Sequence, residues 1–175
     1  LTRSGEILSI PWGQYKVKQP DWETVEGWFT TTADAVQGIT LLTGSHAHPR
    51  AQHAAFLQIL DIETAEVFAQ WTEELTFLGH TDILHRCVIE RTPSGGAHIG
   101  FLCRTIGDTQ KITLARRAAD NKILVELLQH QPCTIAPTAG AWKPEHPANA
   151  AYVLTHGDWT HPYELSAEQR AQLVL

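Results

Sequence analysis

The sequence has no apolar run long enough to cross a membrane. No segment approaches the roughly 18 uninterrupted apolar residues that a transmembrane helix needs. The first residues, LTRSGEIL, also lack the basic segment and apolar run of a secretory signal. These absences argue against a membrane protein and against export. We therefore expect a soluble, cytoplasmic protein with no membrane partner.

Cysteine is scarce and methionine is absent. Cys87, Cys103 and Cys133 are odd in number and widely spaced, which favours reduced thiols over a disulfide framework. No C-x-x-C pair anchors a zinc site, so we interpret the histidines near Cys87 and in the SHAHPRAQHAA segment mainly as loop residues. They are His46, His48, His53, His80 and His85. The missing methionine and the apolar end LVL indicate a fragment of a longer protein.

Basic residues are outnumbered by acidic ones. The chain has 13 Lys and Arg against 19 Asp and Glu, for a formal net charge of -6. This balance argues against a protein that coats nucleic acid indiscriminately, because neutralising phosphates takes an excess of Lys and Arg. A local basic groove is still possible on this balance of charge, and the alternative is that the basic residues are scattered and solvated. Its candidates are Arg50, Arg86, Arg91, Arg104, Lys111, Arg116, Arg117 and Lys122.

The periodicity of apolar residues predicts both strands and helices in one domain over residues 1–175. Apolar runs predict strands in EILSI, GITLLTG, FLQILDIET, NKILVELL and CTIAPT. Helical spacing predicts a helix in WETVEGWFTTT, with Trp22 and Trp28 facing the core, and another in TAEVFAQWTEELTFL, with Thr64 as its N-cap.

The second half of the chain predicts a hairpin and a closing helix. HRCVIERTPSGGAHIGFLCRTI is typical of two strands joined by a turn at residues 93–96. Ser166 and Gln169 form a capping-box pattern, which predicts a helix start at that point. Helix and strand units followed by hairpin strands favour an α+β fold over a doubly wound sheet.

Three carboxylates fall on predicted buried strands. Asp61 and Glu63 end the run FLQILDIET, and side chains two apart on a strand share a face. Two like charges at the end of an apolar strand are costly unless a cation compensates, and divalent ions prefer such oxygen ligands. The alternative for this pair is an acidic strand end that enters solvent or caps the next helix. For Glu126, within ILVELL, the alternative is a buried ion pair with a residue such as Arg104.

The turn TPSGG and the histidine that follows it are a candidate phosphate site. Glycine lets a phosphate approach the backbone closely, and the hydroxyls of Thr92 and Ser94 can donate hydrogen bonds. His98, at the start of the returning strand, could bind a triphosphate oxygen. The alternative is an ordinary tight turn with a half-buried histidine.

In this order, ILDIET, RTPSGGAHIGF and ILVELL followed by TIAPT resemble the three motifs of the archaeo-eukaryotic primase superfamily. They are most similar to the bifunctional primase/polymerase domain of plasmid, phage and CRISPR-associated proteins. Its pattern is a hydrophobic run into D-x-D or D-x-E, a TPSGG-x-H turn, and an acidic residue on a strand before a VAPPS-like segment. KQPDW, EGWFTTTADAVQGITLLTG and AYVLTHGDWTHPYELSAEQRAQL are similar to further family segments. Thr138 and Ala139 depart from it, where the family more often has Pro and Ser.

The resemblance implies a set of site residues. Asp61, Glu63 and Glu126 would bind two Mg²⁺ or Mn²⁺ ions, and His98 would contact the triphosphate of the incoming nucleotide. The residues that would shape the phosphate site are Thr92, Ser94, Gly95 and Gly96. By position rather than by motif, Arg104 and Lys111 would neutralise further phosphate charge.

The resemblance also implies a fold and an activity. The fold would be a primase-polymerase catalytic core with mixed or antiparallel sheets, an RRM-like half and flanking helices. The activity would be that of a DNA primase/polymerase, which adds dNTPs or NTPs to a primer or initiating nucleotide on a DNA template. A fused helicase or CRISPR adaptation proteins would be its partners. A metal-dependent nuclease or phosphohydrolase, and an inactive nucleic-acid-binding module, stay open as alternatives.

Overall fold

The computed structural model describes residues 12–16, 18–31, 38–44, 54–139 and 150–174. Two sequence predictions, the first strand in EILSI and the loop through SHAHPRAQ, lie outside these residues. No helix within the described ranges has the length and apolar character needed to span a membrane. The observed architecture is α+β, as the sequence predicts, with sheets that are mostly antiparallel.

Four α-helices and one short 3-10 helix, at Trp12–Lys16, are present in the described ranges. The α-helices are α1 (Trp22–Thr31), α2 (Ala65–Phe77), α3 (Thr81–Leu84) and α4 (Ala167–Leu173). The strands are β1 (Ile39–Leu42), β2 (Phe56–Ile62), β3 (Val88–Arg91), β4 (Ala97–Cys103), β5 (Lys111–Arg116), β6 (Ile123–Leu128), β7 (Pro132–Ile135), β8 (Val153–His156) and β9 (Glu164–Leu165).

Seven of these strands form the main sheet. Its order is β5-β6-β2-β4-β3-β8, with β9 pairing in parallel with β4 and the remaining neighbours antiparallel. Strands β1 and β7 form a separate antiparallel pair. Three strands that are far apart in sequence, β6, β2 and β4, therefore lie side by side in the centre of the sheet.

One face of the main sheet packs on helices. Alternate residues of β2, β4 and β6 join residues of α2, α3 and α4 in the main core, because successive side chains of a strand point to opposite faces. Its fully buried members are Leu60, Ile62, Leu75, Cys87, Ile99, Phe101 and Leu173. A smaller cluster of Ile59, Leu128 and Cys133 lies on the other face. The polar residues at the intervening positions are thereby directed away from the helices.

Both predicted helix caps are confirmed. Thr64 precedes α2, and its hydroxyl accepts a hydrogen bond of 3.3 Å from the backbone N–H of Val67. Ser166 precedes α4 in a complete capping box: its hydroxyl accepts from the N–H of Gln169 at 3.1 Å, and the Gln169 side chain accepts from the N–H of Ser166 at 3.0 Å.

Replacing Ser166 with Ala is expected to lower the free energy of unfolding by about 1 kcal/mol, because the first turn of α4 loses an acceptor. Helix α4 places the fully buried Leu173 in the main core, so fraying of the helix affects global stability. Urea denaturation measures this change. Ser166→Asp, which keeps an acceptor at the cap, is the control and should match the wild type. Equal midpoints for the Ala variant and the wild type would contradict the capping role.

Two sequence expectations about local structure need correction. Trp22 was expected in the core, but it is the first residue of α1 and is 75% exposed. Trp28, which lies nearer the end of α1, is half-buried and contacts Tyr15 edge to face. The sequence pattern also predicts no strand at β5. This strand lies at the edge of the sheet and is partly exposed on both faces, and its apolar alternation is limited to Ile112 and Leu114.

Candidate active site

Five polar residues form one row across the main sheet. The strand registers pair Thr113 with Glu126, Glu126 with Asp61, Asp61 with His98, and His98 with Glu90. Directly paired residues of antiparallel strands project from the same face. The row therefore crosses β5, β6, β2, β4 and β3 on the face opposite the helical core.

Asp61 is in the centre of this row because of its place in β2. Its neighbours Leu60 and Ile62 are fully buried in the helical core, so alternation directs Asp61 to the other face. Its side chain is 26% exposed. Glu63 follows the end of β2 and extends the pairing with β6, since its N–H donates to the carbonyl oxygen of Leu124 at 3.0 Å.

Tyr152 packs against His98 beside the row. Burial raises the pKa of Tyr152, and its interactions with Cys133, Asp61, Glu90 and Glu63 raise it further.

Glu126 is buried and paired with a cation. The ammonium group of Lys111 lies 2.9 Å from Oε1 and 3.0 Å from Oε2 of Glu126, and the Thr113 hydroxyl donates to Oε1 at 3.3 Å. The sequence analysis named Arg104 as a partner for a buried Glu126. The partner is Lys111 instead, because β5 pairs directly with β6.

His98 lies between two carboxylates. Its Nδ1 is 2.7 Å from Oε1 of Glu90, and its Nε2 is 3.4 Å from Oδ1 of Asp61. The ring also lies 5.5 Å from the Tyr152 ring, centroid to centroid, and its Nδ1 is 3.7 Å from the Cys133 sulfur. Burial alone lowers the pKa of His98, but Cys133 and hydrogen bonds to Asp61 and Glu90 raise it, and the net pKa is well above its ordinary value. These neighbours therefore favour the protonated form of the ring.

Glu90 is the fully buried member of the row. Its Oε2 accepts hydrogen bonds from the backbone N–H of Ala136 at 2.9 Å and from Nε1 of Trp159 at 3.1 Å. The Trp159 ring covers Gly100, where an added Cβ would lie 2.2 Å from a ring atom. The Trp159 indole is thus engaged with Glu90 and β4.

The predicted hairpin turn is confirmed between β3 and β4. The Thr92 N–H donates to the Gly96 carbonyl at 3.0 Å, the Gly95 N–H donates to the Thr92 carbonyl at 2.9 Å, and Gly95 has a φ of 85°. The hydroxyls of Thr92 and Ser94 are 3.0 Å apart. Gly96 packs so closely on β2 that a Cβ would lie 1.9 Å from the Ile62 carbonyl oxygen. The turn is thus held against the chain that carries Glu63.

The structure does not bring Arg104 to this region. It follows the last residue of β4, whereas His98 is near the first, and it pairs with Glu164 at 2.8 Å. Arg116 donates to the Asn121 carbonyl, and Arg117 pairs with Asp120 at 3.6 Å, so both lie in the β5–β6 hairpin. Among the predicted basic site residues, Lys111 is the one that contacts the row.

The row contains carboxylates of the kind that hard divalent cations prefer. Asp61 and Glu126 are directly paired across β2 and β6, and Glu63 follows the end of β2. Within the described ranges, no three His, Cys, Asp or Glu side chains are already gathered as metal ligands. Glu126 contacts the Lys111 ammonium.

The sequence analysis missed several members of the site. Glu90 could have been found from the sequence, because the register of a hairpin with its turn at residues 93–96 pairs Glu90 with His98. Thr113 depends on the unpredicted strand β5. Cys133 was set aside as a core thiol, and it is buried, but against His98. Tyr152 lies in AYVLTHGDW, a segment that resembles the family, but no pattern in the sequence places it beside His98.

No protein-family model matches the sequence, and no curated protein shows significant similarity to it. Function is therefore inferred from the geometry of the row and from the motifs that resemble primase-polymerases.

Proposed function

We propose that this chain is the catalytic domain of a metal-dependent nucleotidyltransferase of the primase-polymerase type. The observation that carries the proposal is the register of three central strands, in which Asp61 is the direct partner of both Glu126 and His98. Three motifs that are 37 and 28 residues apart along the chain thus meet on one face of the sheet. The proposal includes the finer fold assignment, a primase-polymerase core with an RRM-like half.

The acidic side of the row is suited to cations and the other side to anions. Asp61, Glu63 and Glu126 would hold Mg²⁺ or Mn²⁺, which would supply charge neutralisation for the attacking hydroxyl and the leaving pyrophosphate. Next to them, the His98 imidazolium can donate from Nε2 to a phosphate oxygen. Lys111 holds Glu126 on this face and adds a second positive group.

The chemistry follows from this distribution of charge. A primer 3′ oxygen, or the hydroxyl of an initiating nucleotide, bonds to the α-phosphorus of a dNTP or NTP. The bond from that phosphorus to the bridging oxygen breaks, pyrophosphate leaves, and the hydroxyl proton passes to solvent. The turn at 92–96, with its hydroxyls and glycines beside Glu63, would bound the phosphate site. DNA template and primer are the proposed macromolecular substrates, with a fused helicase or CRISPR adaptation proteins as proposed partners.

The proposal predicts that the chain extends a labelled primer on a DNA template when Mn²⁺ or Mg²⁺ and nucleotides are present. Separate dNTP and NTP pools measure the sugar preference, and EDTA should stop the reaction. Shortening of the primer would instead identify a nuclease. Retained DNA binding without either change would identify an inactive binding module.

A further inference from the structure

The buried carboxylate of Glu90 is held by a converging set of donors. It has no solvent exposure, and burying a charge is costly unless hydrogen bonds and an opposite charge compensate. Within the described part of the chain, the donors that reach it are His98, the backbone of Ala136 and the indole of Trp159. Both donors to Oε2 come from outside strand β3, so they fix the rotation of the carboxylate.

This fixed carboxylate determines how His98 is presented. Glu90 accepts the short bond, 2.7 Å, from Nδ1 of His98. The 3.4 Å between Nε2 and Asp61 is longer than the roughly 2.7–3.2 Å of a normal N–H···O hydrogen bond. Nδ1 donates to Glu90, and Nε2 also faces a carboxylate oxygen, which only accepts, so this geometry favours an N–H on each nitrogen. Nδ1 is therefore engaged, while Nε2 is available to a better placed anionic oxygen.

The other contacts of the His98 ring also restrict its orientation. Tyr152 lies beside the ring at a 30° tilt, and the Cys133 sulfur is within 3.9 Å of both ring nitrogens. A ring fixed in this way loses little conformational freedom when it binds a ligand.

We propose that Glu90 is a positioning residue that fixes the His98 imidazole so that Nε2 donates to the triphosphate of the incoming nucleotide. This inference rests on the proposed function and deepens it. Glu90 itself does not touch the ligand, since it is buried on the far side of His98. Its role is to orient a donor that is already on the carboxylate face of the sheet.

The test compares Glu90→Gln and Trp159→Phe with the wild type in the full chain. Gln presents an NH₂ group to a site that holds only donors, so the orientation of His98 is lost. Phe removes one indole donor and leaves the carboxylate, which gives a milder perturbation in a variant that retains a half-buried aromatic ring. The controls are Glu74→Gln on the exposed side of α2 and Trp71→Phe on its core-packed side.

Binding of inorganic tripolyphosphate is measured by calorimetry, and the KM for nucleotide and kcat are measured by primer extension. We expect Glu90→Gln to weaken tripolyphosphate binding and raise KM by about tenfold or more, with a smaller change in kcat. Trp159→Phe should show a change of a few-fold, and the controls none. ¹⁵N NMR of the His98 ring, assigned with His98→Gln, should show loss of the protonated, hydrogen-bonded Nδ1 signal in Glu90→Gln.

The outcomes separate this inference from the proposed function. Primer extension by the wild type, with unchanged KM and tripolyphosphate binding in both variants, would overturn the role of Glu90 alone. No extension, but tripolyphosphate binding that depends on His98 and Glu90, would overturn the polymerase and support the positioning role. If the wild type neither extends primers nor binds tripolyphosphate, both proposals fail. If Glu90→Gln does not fold, Trp159→Phe decides between these outcomes.

Discussion

Replacing Asp61 with Asn is expected to lower the rate of primer extension by about 10³-fold or more while the domain stays folded. Asp61 is the member of the row that directly pairs with both Glu126 and His98. Asn keeps the shape of the side chain but removes its negative charge. Losing one cation ligand at the reacting centre removes several kcal/mol of transition-state stabilisation, and each ~1.4 kcal/mol is a factor of ten.

The same substitution should change the free energy of unfolding by no more than about 1 kcal/mol. The side chain is partly exposed and is the direct cross-strand partner of Glu126, so removing its charge relieves repulsion while weakening the contact with His98. Single-turnover extension and urea denaturation measure the two effects separately. Asp82→Asn, on the exposed surface of α3, makes the same chemical change away from the row. Wild-type extension rates in Asp61→Asn would rule out the proposed metal site.

Replacing Gly96 with Ala is expected to cost about 3 kcal/mol or more of stability, or to prevent folding. The added Cβ would lie 1.9 Å from the carbonyl oxygen of Ile62 and 2.7 Å from the carbonyl carbon of Glu63. Both are backbone atoms of the segment at the end of β2, so no side-chain rotation can relieve the overlap. The turn and β2 would have to move apart.

Gly95 provides the comparison for this prediction. A Cβ there would meet only the Ala65 Cβ, at 3.8 Å, but its φ of 85° is unfavourable for other residues. Gly95→Ala should therefore cost about 1–2 kcal/mol, from backbone conformation alone. Urea denaturation of both variants measures the difference. Equal stabilities of the two variants would show that the contact between the turn and β2 is not as tight as described.

Much of the fold can be predicted from local patterns. The apolar runs locate β2, β4 and β6, and the cap residues locate the starts of α2 and α4, because these signals depend on neighbours in sequence. The position of the hairpin turn also sets the register that pairs Glu90 with His98. Edge strand β5 has a weaker signal, because only Ile112 and Leu114 alternate with polar residues in a strand that is partly exposed.

The candidate site could be predicted only in part, for a different reason. Asp61, His98 and Glu126 can each be found from motifs, but the pairing of β6 with β2 joins segments about 65 residues apart and depends on the whole sheet. The alternative interpretation of Glu126 named Arg104 as its ion-pair partner; the residue that pairs with it is Lys111, which lies on a strand that local patterns do not connect with β6. Two of the donors to Glu90, Ala136 and Trp159, are far from β3 along the chain, and no local sequence pattern connects them with it.

The arrangement of the row on paired strands also sets which changes of chain length the site can accommodate. Neighbouring strands lie about 4.8 Å apart, so strand pairing fixes the distances between the side chains of the row from Thr113 to Glu90. An insertion in a connecting loop leaves these intervals unchanged. One extra residue within β2 would turn Asp61 towards the helices and expose Leu60 or Ile62 in its place. The alternation and register of residues within the strands, rather than the length of any connecting loop, therefore keep this set of groups together.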